Sequence, residues 1–86
     1  MKPILMFTMK SCPHCVRAMQ WMDELKQENP AYTDLDIKII DETIHPDIAG
    51  KYDYYYVPTY FVDGVKVHEG VPGKDRIRAV FQAAYD

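Results

Sequence analysis

Hydrophobic residues along this chain fall into short blocks, and their spacing changes character from block to block. Ile4-Leu5-Met6-Phe7 is an unbroken apolar run between Pro3 and Thr8, the mark of a strand buried on both faces. From Cys15 the spacing turns helical: Cys15, Ala18, Met19, Met22 and Leu25 recur every three or four residues, with Trp21 half-covering the edge of the stripe. Asn29-Pro30 supplies the stop. Leu35 to Ile39 alternates and is followed by Ile40 and Asp41, which predicts a strand with one wet face at a sheet edge. A single helix separates the two strands, so they are predicted parallel through a right-handed crossover. Pro46 opens a short helix carrying Ile48 and Tyr52, weakened by Gly50. Val57 to Val62 reads as the next strand, Asp63-Gly64 as a two-residue hairpin turn, and Val65 to Glu69 as the returning strand. After a turn at Gly70 to Gly73, the stripe Ile77, Val80, Phe81 and Ala84 marks a closing helix. The predicted order is βαβαββα, an α/β fold with one four-stranded mixed sheet flanked by helices.

Composition narrows this picture. With 86 residues, 48% of them hydrophobic, the chain is one small domain spanning residues 1–86, and disorder is excluded. The formal charge of −3 argues against nucleic acid as a partner. The apolar start is too short for a signal peptide or a membrane span, so no membrane association and a cytoplasmic monomer are the expectations. Charge is uneven, however. Before Asp23 only Lys2, Lys10 and Arg17 are charged, which makes that end locally positive and attractive to anionic substrates or acidic thiols.

That end also holds the only two cysteines, in Cys12-Pro13-His14-Cys15. At the start of a helix an i, i+3 pair shares one face, with Cα atoms about 5–6 Å apart, within disulfide range. Pro13 suits the first helical position, which puts Cys12 at or near the N-cap, facing unpaired N–H groups and the positive end of the dipole. A thiolate gains from both, so Cys12 is the predicted nucleophile. Lys10, His14 and Arg17 add positive charge or donors, and His14 makes the pair more oxidising than an apolar dipeptide would. Cys15 begins the apolar stripe and is expected to be buried, with Cys12 exposed. A purely structural disulfide is a weak alternative, since so short a loop is worth only ~2 kcal/mol. Metal is another, but one C-x-x-C supplies two ligands where a closed zinc site takes four. His45 and His68 lack ligand spacing to the dithiol, and both are expected to be solvated. Inert core cysteines are the third alternative.

Other groups invite chemistry less strongly. Of Met6, Met9, Met19 and Met22, at least three are expected on core faces, with Met9 beside the dithiol. Tyr52, Tyr54, Tyr55 and Tyr56 crowd the approach to Pro58, where they either wall a substrate groove or pack with their hydroxyls in water.

The strand order, the dithiol and Val57-Pro58-Thr59 together resemble the thioredoxin superfamily over nearly the whole chain, at a length similar to glutaredoxins. The resemblance implies a thiol–disulfide oxidoreductase with Cys12 as nucleophile and Cys15 as resolving thiol. It implies a cis Pro58 facing the dithiol, with the Val57 backbone pairing with substrate. It implies no bound cofactor, protein disulfides or glutathione as substrates, and a thiol or flavoprotein reductant. Pro72-Gly73-Lys74-Asp75 partly matches the glutaredoxin glutathione loop, so Gly73 and Asp75 are candidate ligand contacts, with Asp75 capping the last helix and Lys10 in a substrate-binding role. Two departures stand out: Met6 occupies the place of the buried thioredoxin acid, and Pro72 replaces the first loop glycine. A second reading, a metal or iron–sulfur carrier using Cys12 and an external thiol or second chain, stays open.

Overall fold

The computed structural model describes residues 1–86. Strand β1 (Ile4–Thr8) runs into helix α1 (Pro13–Glu28), a 3-10 helix (Pro30–Asp34), strand β2 (Ile37–Asp41), the short helix α2 (Pro46–Ala49), strands β3 (Thr59–Val62) and β4 (Val65–Glu69), and helix α3 (Lys74–Tyr85). The sheet order is β2-β1-β3-β4, with β1 parallel to β2 and antiparallel to β3, and β3 antiparallel to β4.

Alternation along the central strand divides the core in two. Ile4 and Met6 face α1 and α3, joining Ala18, Met22, Leu25, Tyr60, Ile77, Val80, Phe81 and Ala84 in the main apolar cluster. Phe7 points the other way, onto Ile40 and Phe61, where Tyr52, Tyr54 and Ile48 lie over it in place of a long helix. The hairpin turn forms at Asp63 and Gly64, whose φ angles of 51° and 82° match a two-residue turn with the twist of the strands.

Five expectations need correction. The strand predicted from Val57 begins only at Thr59, since Pro58 has no N–H to give to a ladder. Met19 is 40% exposed, so only Met6 and Met22 of the four methionines considered are core filler. The strand predicted from Leu35 starts at Ile37, because Asn29 accepts the Ala31 N–H and Pro30 opens a 3-10 helix that delays it. Leu35 is buried against the main cluster from outside the strand, and Ile39 is exposed while Ile40 is buried. Tyr52 lies beyond the four-residue α2. His68, expected in water, is 9% exposed, with Nε2 3.1 Å from the Gly70 carbonyl oxygen. A bulge explains His68: Tyr60 pairs with His68 but Phe61 pairs with Lys66, so Val67 is an extra residue. The insertion turns His68 onto the face of Tyr60, whose ring centroid is 6.2 Å away.

Candidate active site

Strand β1 ends at Thr8, and a tight turn carries the chain into α1. Ser11 sits in the left-handed region at φ 65°, and Cys12 follows in extended conformation as the N-cap. Pro13 occupies the first turn. The Cys15 N–H donates to Cys12 Sγ at 3.3 Å, so the sulfur does what a capping oxygen does elsewhere. No acidic residue lies in that turn. A negative sulfur there meets an aimed N–H and the positive helix end, with nothing of like charge beside it. Both cysteines are free thiols.

The expected contrast in exposure is only half present. Cys15 is 2% exposed, but Cys12 is also buried, at 7%. The cap bond turns the Cys12 sulfur inward over the first helical turn. Neither sulfur belongs to an apolar cluster, and Met9, Lys10, Ser11, Pro13 and His14 are all exposed around them. The dithiol is therefore sunk into the rim of the molecule, not into its packed interior.

Electrostatics separate the two sulfurs. Burial, and then the hydrogen bond to Cys12, push the Cys15 thiol up to about 11, while the Thr8 hydroxyl and the Met9 N–H pull the other way. A raised thiol stays protonated through neutral pH and ionises only as pH climbs towards that value. Brief alkylation of the reduced protein at neutral pH should therefore label Cys12 before Cys15, with Cys15 labelling accelerating as pH rises towards 11. Peptide mapping by mass spectrometry reads the order directly; equal rates at neutral pH would contradict it. Met6 is fully buried and pairs in register with Tyr60, and no carboxylate is among the groups that shift the Cys15 thiol.

The Val57-Pro58 peptide bond is cis. A groove of about 420 Å³ is lined by His14, Tyr56, Val57, Gly70 and Val71. It brings together His14 and Val57, which sequence reasoning had singled out, and adds Gly70 and Val71, which it had not. Val57 makes no main-chain hydrogen bond within the chain, while Pro58 accepts from Gly70 N–H at 3.0 Å. Thr59 is fully buried, and its hydroxyl donates to the Tyr56 carbonyl, so it holds the loop from inside. The tyrosines divide: Tyr52 and Tyr54 pack on Phe7, ring centroids 5.0 and 4.7 Å away, whereas Tyr55 and Tyr56 are exposed and Tyr56 walls the groove.

The glutathione-loop candidates lie elsewhere. Gly73, not Asp75, is the N-cap of α3, and no side chain caps it. Asp75 pairs with Arg78 one turn on, and neither Gly73 nor Asp75 lines the groove. Lys10 is exposed and makes no ion pair. No group of three or more His, Cys, Asp or Glu side chains is arranged to hold a metal ion.

One residue had no signal in the sequence. The Glu69 carboxylate accepts the N–H groups of Tyr55 and Tyr56 at 2.5 and 3.0 Å and pairs with Lys66 Nζ at 2.8 Å. Lys66 first, then the two N–H groups, hold Glu69 down to about 2. The carboxylate keeps its charge and its partners above that pH and loses them only as pH falls through it.

The thioredoxin domain family model matches residues 4–82. The chain belongs to this family. It is 32% identical over 84 residues to a probable thioredoxin of Methanothermobacter marburgensis, covering 96% of this chain and 92% of that one. It is 30% identical over 74 residues to a thioredoxin of Methanocaldococcus jannaschii, covering 86% and 85%. Oxidised thioredoxin from Plasmodium falciparum superposes with a TM-score of 0.74 at 17% identity, over 99% of this chain and 82% of that one. These matches establish the thioredoxin fold. No helix is long and apolar enough to cross a membrane.

Proposed function

We propose that this thioredoxin-family chain is a thiol–disulfide oxidoreductase acting on protein disulfides through Cys12 and Cys15. One observation carries the reading: the Cys12 sulfur caps α1 and accepts the Cys15 N–H, beside a groove bordered by the unpaired main chain of Val57.

The chemistry follows from the two sulfurs. The Cys12 thiolate attacks a substrate disulfide, forming a Cys12–substrate disulfide and releasing the first substrate thiolate, which takes a proton from water. Cys15 gives up its proton and attacks Cys12 Sγ. The Cys12–Cys15 bond forms, the second substrate thiol leaves, and two electrons have passed to the substrate. A thiol or flavoprotein reductant then restores the dithiol. His14 borders the groove at the second position of the helix, where its ring nitrogens are within reach of an incoming disulfide. Val57 N–H and C=O are free to pair with the substrate main chain, and Thr59 fixes the loop that carries them. Pairs of this kind work as redox centres in a reducing compartment, so a cytoplasmic location is part of the reading.

The test is equilibration against graded glutathione buffers, with the dithiol, disulfide and glutathionylated forms resolved by mass, alongside an insulin-reduction assay. The reading expects a reversible loss of two hydrogen atoms' mass as the buffer becomes oxidising, and turnover of insulin. A dithiol that never oxidises, or no turnover, would overturn it. Substantial glutathionylation at Cys12 would make glutathione the co-substrate.

A further inference from the structure

The segment from Asp53 to Pro58 lies outside any helix or strand, yet its main chain is held at Asp53, Tyr55, Tyr56 and Pro58. Glu69 Oε2 accepts from Tyr55 N–H and Tyr56 N–H, while Glu69 Oε1 accepts from Lys66 Nζ. Lys66 Nζ also donates to the Asp53 carbonyl at 3.2 Å. The Tyr56 carbonyl takes the Thr59 hydroxyl, and the Pro58 carbonyl takes the Gly70 N–H. Val57, between the anchored Tyr56 and Pro58, keeps both main-chain groups free; Tyr54 does too, but of the two only Val57 lines the groove.

The geometry of β4 makes this arrangement available. Residues three apart on a regular strand point to opposite faces. Here Glu69 pairs with Thr59 and Lys66 with Phe61, and Thr59 and Phe61 are two apart on β3 and share a face. The extra residue at Val67 brings Lys66 and Glu69 to the same side, where they meet as an ion pair. Both then reach the tyrosine loop. Neither touches the cysteines, and neither lines the groove.

We infer that Glu69, supported by Lys66, is the positioning residue that holds Val57 in place to receive the main chain of a polypeptide substrate. The inference rests on the oxidoreductase reading and adds a residue to it. Two N–H groups on one ionised oxygen are charge-assisted bonds, stronger than neutral ones. Without them Tyr55 and Tyr56 lose their anchor, and the ordering of the loop is left to be done when substrate binds.

The test compares a polypeptide with a disulfide too small to use the loop. For Glu69→Ala the KM for insulin should rise about tenfold, with kcat and the rate with hydroxyethyl disulfide falling by less than about twofold. Lys66→Ala should raise the insulin KM about threefold, and Glu69→Gln, which retains an acceptor oxygen, should recover part of the loss. Unchanged insulin KM in a folded Glu69→Ala protein overturns the inference and leaves the oxidoreductase reading standing. Failure of the unmodified protein to reduce either disulfide overturns both. Should Glu69→Ala not fold, amide exchange in the unmodified protein decides: Tyr55 and Tyr56 should exchange much more slowly than Val57, and equal rates would overturn the inference.

Discussion

Cys12→Ser is expected to abolish disulfide reduction altogether, while Cys15→Ser keeps the first half of the reaction and stalls in the second. Serine at position 12 retains an acceptor for the Cys15 N–H, so α1 stays capped and the protein stays folded. What disappears is the attacking sulfur, and an alcohol is not ionised near neutral pH. With Cys15 replaced, Cys12 still opens a substrate disulfide, but nothing displaces the captured half. Non-reducing gels of Cys15→Ser incubated with insulin should show a stable adduct that thiol reductant dissolves, and Cys12→Ser should show none. Comparable turnover in both variants would refute the division of labour. The raised Cys15 thiol makes the point sharper: at neutral pH it ionises only when it attacks, so the released substrate thiolate or water must take its proton.

The second large effect is structural. Phe81→Ala should cost about 3–5 kcal/mol of folding stability, read as a fall in the denaturant midpoint at unchanged slope. Phe81 is fully buried on α3, and its ring meets Tyr32 edge-on, centroids 5.3 Å apart. Through it α3 closes over the main cluster that α1 also faces, and the 3-10 helix is tied in by the Tyr32 hydroxyl, which donates to Gln82 at 2.9 Å. A chain of 86 residues has few kcal/mol to spare, so much of the variant should be unfolded at physiological temperature. The surface ion pairs of Lys74 with Glu24 and Glu28 span the same two helices but are partly exposed, and such pairs are worth too little to compensate.

The architecture was legible because its signals are local. Apolar periodicity marked β1, α1 and α3, Asp63-Gly64 marked the hairpin, and Cys-Pro-His-Cys marked the helix start. What escaped depends on contacts between distant segments. His68 reads as an outward residue on any regular strand, and only the extra residue at Val67 turns it inward. The late start of β2 follows from Asn29 capping a 3-10 helix, a signal present in Asn29-Pro30 but read only as a stop. The apolar stripe begins at Cys15 and so leaves Cys12 outside it, which reads as exposure; its sulfur instead folds onto the backbone as the acceptor of the Cys15 N–H. Glu69 could not be tied to Tyr55 and Tyr56 from spacing alone, since fourteen and thirteen residues separate them and no periodicity links a strand end to a loop.

The irregular pairing along β4 also bears on how the molecule meets its own kind. This strand is an open border of the sheet, where a row of evenly spaced N–H and C=O groups invites another chain to dock and continue the ladder. The additional residue breaks that row and Lys66 plants a charge beside the gap, so a neighbouring copy finds its rungs out of step. On the proposed reading, in which the groove receives segments of other chains, this break also guards the molecule against templating a fibre from itself.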